Sequence, residues 1–294
     1  MTYTDAIVTT PDGRDLEVAA VGDPKGATIV FHHGTPGSAP LVKAFDATAT
    51  ERGYFIITMS RAGYGPSSRL EGRDAAHVVQ DVQVALQHFG RDRYVSMGWS
   101  GGGPHALACA ALDAKCDAVV SLAGVAPANV DFDWTEGMGP ENITEFELAR
   151  RGGPEYEEHL KFQSDMLASA TADSVIELMS GLLPDADKEA LADDEARTTL
   201  AAAFQHGCGT SHLGFLDDDQ LFLRDWGFEL SSIAVPTDVW FGGTDLMVPP
   251  THGHFLVGAI AGATAFHYPQ DGHVSIVTNH QGELFDRLDR HVGR

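Results

Sequence analysis

Apolar, β-branched runs recur along this chain at a spacing that leaves room for a helix between each pair. ATIVFHHG at 27–34, YFIITMS at 54–60, RYVSMGW at 93–99 and DAVVSLAG at 117–124 are apolar at successive positions rather than at every second one. Such runs predict strands buried on both faces. Helix-type stretches separate them: one ends at Arg52, AAHVVQDVQVALQHFG closes on Gly90, and another runs through Leu112. Strand and helix in alternation build βαβ units around a mostly parallel sheet, so the fold class is α/β. Ahead of this rhythm, AIVTTPDGRD and LEVAAVGDP read as a hairpin turning at Pro11-Asp12-Gly13.

After Pro127 the rhythm stops. From 128 to 232 there is little strand pattern, several helix-period stretches such as EYEEHLKFQSDMLASA, and about half of the chain's acidic residues. The alternation resumes with VPTDVWFGG, a helix from about Thr251, the strand ATAFHYP and a closing helix QGELFDRLDRHVG. The expected organisation is a core of residues 1–127 and 233–294 with a helical cap, 128–232, inserted into it.

A chain of 294 residues, 43% of them hydrophobic, can bury an extensive interior. Its formal net charge of −23 repels phosphate backbones and anionic headgroups, which argues against nucleic acid and membrane partners. The N-terminal stretch MTYTDAIVTTPDG lacks the basic-then-apolar layout of a secretion signal, and a cytoplasmic location is expected. Cys109, Cys116 and Cys208 form an odd set without a CxxC pair, so neither a disulfide framework nor a zinc site is predicted. The expected partner is a small-molecule substrate.

The chemistry concentrates where the strand RYVSMGW meets Ser100-Gly101-Gly102-Gly103 and a helix. A nucleophilic serine needs its hydroxyl thrust clear of the backbone, and a sharp strand-to-helix turn does this only if its flanks are small. Gly98 and Gly102 occupy the two small positions of G-x-S-x-G. With 32 glycines in the chain the bare motif is weak, and its strand-turn-helix setting gives it weight. Serine also needs a base, and the base an orienting acid. Asp245, after the strand VWFGG, and His273, beyond the strand TAFHYP, stand in the required order Ser, Asp, His. His267 falls within a strand, and His280 and His291 lie around the last helix. Acyl transfer further needs donors for an oxyanion, and the loop His33-Gly34-Thr35-Pro36-Gly37 can offer the Thr35 N–H beside that of Gly101.

These motifs together resemble the α/β-hydrolase fold family. HHGTPGS is similar to its oxyanion loop, SRAGYGPSS to its glycine-rich turn, GWSGGG to its nucleophile elbow, GGTDLMVPP to its acid turn and DGHVSI to its histidine loop. The resemblance implies Ser100 as nucleophile, His273 as base, Asp245 as its orienter, Thr35 and Gly101 N–H groups as oxyanion hole, and neither metal nor organic cofactor. The elbow departs from the epoxide hydrolase and haloalkane dehalogenase branches, which carry aspartate where Ser100 stands. Ser60 also departs, since many relatives begin that turn with aspartate.

The expected activity is hydrolysis of a small carboxylic ester or related acyl compound. Peptidase, C–C bond hydrolase and perhydrolase activities share the same machinery, and a non-catalytic binding protein is the reading of another class. HGTPG is also similar to the HGGPG of proline iminopeptidases, whose cap carboxylates hold a substrate amine, although GWSGG differs from their GGSWG. Cap candidates for such a role are Glu136, Glu141, Glu145, Glu147 and Asp217–Asp219. Phe132, Trp134, Phe146, Phe162, Phe204, Phe215, Phe222 and Trp226 are candidates to line a pocket or to fill the cap's own core.

Overall fold

A computed structural model describes residues 3–294. The opening hairpin forms as β1 (Thr4–Thr9) and β2 (Asp15–Gly22), paired antiparallel. The alternating runs follow as β3 (Ala27–His32), α1 (Asp46–Arg52), β4 (Tyr54–Met59), α2 (Val78–His88), β5 (Tyr94–Trp99), α3 (Gly103–Leu112) and β6 (Cys116–Leu122). The chain then runs through α4 (Pro140–Arg151), α5 (Pro154–Ala168), α6 (Val175–Leu178), α7 (Asp185–Ala190), α8 (Asp194–Cys208) and α9 (Leu213–Phe222) without a described strand. It returns as β7 (Thr237–Gly242), α10 (Pro250–Ala259), β8 (Thr264–Tyr268), α11 (Ser275–Thr278) and α12 (Gln281–His291).

The eight strands form one sheet in the order β1-β2-β4-β3-β5-β6-β7-β8, parallel from β4 to β8. All six residues of β4 are buried, as a strand covered on both faces requires. Alternate side chains feed two apolar layers. Val30 and Ile57 join Val82 of α2 and Leu107 of α3, whereas Ile29, Phe31 and Ile56 join Phe285 and Leu288 of α12 on the other face. In α12 the buried Leu284, Phe285 and Leu288 form a single stripe, the spacing of a helix laid on a sheet. Among the described residues, no helix is long and apolar enough to cross a membrane.

This topology gathers the C-terminal ends of β3, β5, β7 and β8 along one edge, where loops of parallel sheets ordinarily carry ligands. Ser60, the departure in the turn after β4, accepts the Ala39 N–H at 3.0 Å and donates to Glu17 Oε2. It thereby ties the glycine-rich turn to β2 and to the turn after β3.

Candidate active site

Ser100 leaves β5 with φ 57°, in the left-handed region that a residue with a Cβ rarely adopts. The surroundings hold it there. A Cβ on Gly98 would run into the Gly102 carbonyl oxygen, and one on Gly102 into the carbonyl of His32. The turn therefore closes only with glycine on both flanks, and α3 resumes directly with Pro104 in its first turn.

His273 and Asp245 meet from different loops. His273 Nδ1 lies 2.7 Å from Asp245 Oδ2, and Asp245 Oδ1 accepts the N–H groups of Met247 at 2.8 Å and Val248 at 2.9 Å. The Trp99 indole donates to the His273 carbonyl at 3.1 Å, so the residue before the serine also fixes the histidine loop. Burial works against a charged His273, but the charge and hydrogen bond of Asp245, with the charge of Asp187, outweigh it and raise the imidazole above its ordinary value. Its Nε2 is buried and has no hydrogen-bond partner among the described residues. The Ser100 hydroxyl thus makes no bond to it, a looseness common where no substrate is bound.

Ser100, Gly101, Thr35 and His273 all border one cavity of about 170 Å³, which residues of α4, α5, α8 and α9 close from the other side. Of the candidate aromatics, Phe146, Phe204, Phe215 and Phe222 line it. Trp134 packs instead on Phe146 and His252, and Phe162 is exposed.

The loop 33–35 after β3 is braced by a network that crosses from the core to α9. Arg61 donates to the carbonyls of His33 and Gly34, the latter at 2.9 Å, and to Thr35 Oγ1 at 3.0 Å. Asp218 receives Arg61 at 2.6 Å, Tyr64 at 2.9 Å and Thr35 Oγ1 at 2.6 Å on one oxygen, and pairs with Arg73 at 2.6 Å on the other. Burial alone would raise this carboxyl, but the two guanidinium groups hold it well below the usual range. His33 contributes through Nδ1 to the Gly34 carbonyl at 2.7 Å and accepts the Arg61 N–H at its Nε2.

A family described as alpha/beta hydrolase fold matches residues 27–280. The chain belongs to the α/β-hydrolase fold family. Within it, the protein spans about a third of the length of the curated relatives it matches. It is 32% identical over 97 residues, 33% of this chain, to the bifunctional esterase/perhydrolase DCH of Acinetobacter calcoaceticus, where the match covers 35% of that protein. It is 33% identical over 97 residues to a non-heme haloperoxidase of Rhodococcus erythropolis, 33% of this chain and 35% of that one. Among solved structures, the esterase EaEST of Exiguobacterium antarcticum matches in fold, with a TM-score of 0.68 at 18% identity over 99% of this chain and 100% of that one.

Three of the candidate cap carboxylates converge on this cavity. Glu145 of α4 and Asp219 of α9 both line the cavity, with Glu141 beside them. Burial pushes the Glu145 carboxyl up to about 8. Burial, and then the charge of Glu145, raise Asp219 well above its ordinary value, although it accepts a bond from the Tyr156 hydroxyl at 3.2 Å. Of the other candidate carboxylates, Asp217 pairs with Arg69 at 2.8 Å, Asp218 belongs to the network around Thr35, and Glu136 and Glu147 are exposed.

Proposed function

We propose that the protein is a serine hydrolase that cleaves small carboxylic esters or related acyl compounds through an acyl-enzyme on Ser100, with residues 128–232 acting as the cap over its site. The observation that carries this reading is a serine held at φ 57° on the border of the same cavity as an imidazole already seated on Asp245. In this reading His273 Nε2 takes the Ser100 proton as Oγ attacks the carbonyl carbon. The negative charge moves to the carbonyl oxygen, which the N–H groups of Thr35 and Gly101 stabilise. The tetrahedral species collapses, the alcohol leaves with the proton from His273, and a water activated by the same imidazole frees the acid.

The cavity volume points to the size of the acyl group. An apolar void of about 150 Å³ holds one benzene, and the 170 Å³ here matches a short-chain or single-ring acyl group rather than a long fatty chain. Perhydrolysis, named for the Acinetobacter relative, would use the same acyl-enzyme with hydrogen peroxide in place of water.

A second reading is favoured by Glu145 and Asp219. Two carboxyl groups beside the cavity would accept the amine of an aminoacyl substrate, giving up the protons that burial holds on them. A panel of p-nitrophenyl esters of rising acyl length, with aminoacyl p-nitroanilides alongside, separates these readings. Acetate and butyrate esters should turn over fastest, and Ser100→Ala should abolish turnover while the fold is kept. Preference for the anilides would move the assignment to the second reading, and unchanged turnover in Ser100→Ala would remove both.

A further inference from the structure

Asp187 lies on α7, 86 residues before His273, and its side chain is fully buried. Among the described residues, all four hydrogen bonds that end on its carboxylate come from the histidine loop. Oδ2 accepts the His273 N–H at 2.8 Å, and Oδ1 accepts the N–H groups of Val274 at 3.0 Å and Ser275 at 2.8 Å and the Ser275 hydroxyl at 2.7 Å. Ser275 Oγ in turn accepts the Gly272 N–H at 2.7 Å, which folds the loop around the carboxylate. The fit leaves no room for a side chain at 272, where a Cβ would lie 2.6 Å from both Asp187 oxygens.

His273 is thus held at three points by three parts of the chain. Asp245 holds the ring at Nδ1, Trp99 holds the carbonyl, and Asp187 holds the N–H. We propose that Asp187 is a positioning residue for His273, so that α7, within the segment between β6 and β7, forms part of the seat of the catalytic imidazole. This inference rests on the triad proposed above. Besides fixing the backbone, the carboxylate contributes negative charge that favours the imidazolium. The other titratable groups around His273 are Asp245 at the ring and, across the cavity, Glu141, Glu145 and Asp219; Asp271, in the same loop, is engaged by Asn279 and His280, each at 2.8 Å.

Asp187→Asn keeps the shape, removes the charge, and turns an NH₂ donor toward at least one of the loop's donors. It should lower kcat by about 10- to 100-fold, as misplacement of a reacting group on the order of 1 Å does, with KM nearly unchanged. The acid limb of its pH profile should move to lower pH, because a negative charge near the imidazolium is lost. Ser275→Ala, which keeps the carboxylate and removes one donor to it, should lower kcat only a few-fold and leave the acid limb in place. It decides the matter if Asp187→Asn does not fold: turnover identical to wild type in Ser275→Ala would then overturn the proposal. For a folded Asp187→Asn, unchanged kcat and acid limb would overturn it, as would a fall in activity that only tracks the fraction folded. NMR titration of the His273 ring, assigned by its loss in His273→Ala, reads the same placement without turnover. Its midpoint should fall in Asp187→Asn, and an unmoved midpoint contradicts the proposal even if the triad reading itself fails and no ester is hydrolysed.

Discussion

Asp218 is a fully buried carboxylate held between two arginines, and Asp218→Asn tests what it contributes. Its side chain is fully buried, and its two cationic partners, Arg61 and Arg73, are only 2% and 4% exposed. Removing the carboxylate charge leaves two guanidinium groups facing each other in a dry interior. Breaking a buried pair in this way costs about 3–5 kcal/mol, because the partner's desolvation is no longer offset. Arg61 keeps the carbonyl oxygens of His33 and Gly34, which places the loss toward the lower end. At about 2 °C per kcal/mol for a chain of this size, Tm should fall by about 6–8 °C. Urea unfolding at a series of pH values adds a second check. The folded-state pKa of Asp218 is depressed, so its contribution is complete above the unfolded value near 3.9 and disappears only as pH falls through the folded value. The gap between wild type and variant should therefore stay constant from pH 7 to about 5. A gap under about 1 kcal/mol at pH 7, or one that closes between pH 7 and 5, would refute the assignment of Asp218 as the anchor of Arg61, Arg73 and the loop at Thr35.

Two further predictions follow from the titrating groups around the cavity. Glu145 has a folded-state value of about 8 against an ordinary 4.5, so the folded protein binds its proton more tightly and the wild type should lose stability as pH rises through that window. Glu145→Gln should be the more stable protein at pH 8 and close to wild type at pH 4, as read by Tm against pH; equal curves would count against an acid whose proton burial retains. His273 is raised, and in the proposed triad it must be neutral to act as base, so kcat/KM for the proposed ester hydrolysis should climb with pH to a plateau, with its midpoint above the ordinary histidine value near 6.5. A midpoint below 6.5, or a flat profile between pH 5 and 8, would contradict this.

The strands were legible because burial on both faces imposes a composition. ATIVFHH, YFIITMS and DAVVSLA are short, β-branched and apolar at successive positions, the composition of covered strands, and they became β3, β4 and β6. The elbow was legible because a Cβ at Gly98 or Gly102 has nowhere to go, a steric fact that leaves its mark as glycine. The helix α11 was not, since its four residues hold too few positions to show a period. Asp217, Asp218 and Asp219 show the deeper limit. They are identical neighbours, but a helix turns about 100° per residue, which sends one to Arg69, the next to Arg61 and Arg73, and the third to the cavity. Their fates depend on how α9 is rotated against the core, and no local pattern encodes that. Asp187 is the extreme case, for its partners are 86 to 88 residues away.

The central claim is that Ser100 is an activated nucleophile, and a fluorophosphonate probe tests it most directly. Intact-protein mass spectrometry followed by peptide mapping should find one adduct, on the peptide that carries Ser100, formed slowly in His273→Ala and not at all in Ser100→Ala. An adduct elsewhere, or equal labelling of wild type and Ser100→Ala, would contradict the account.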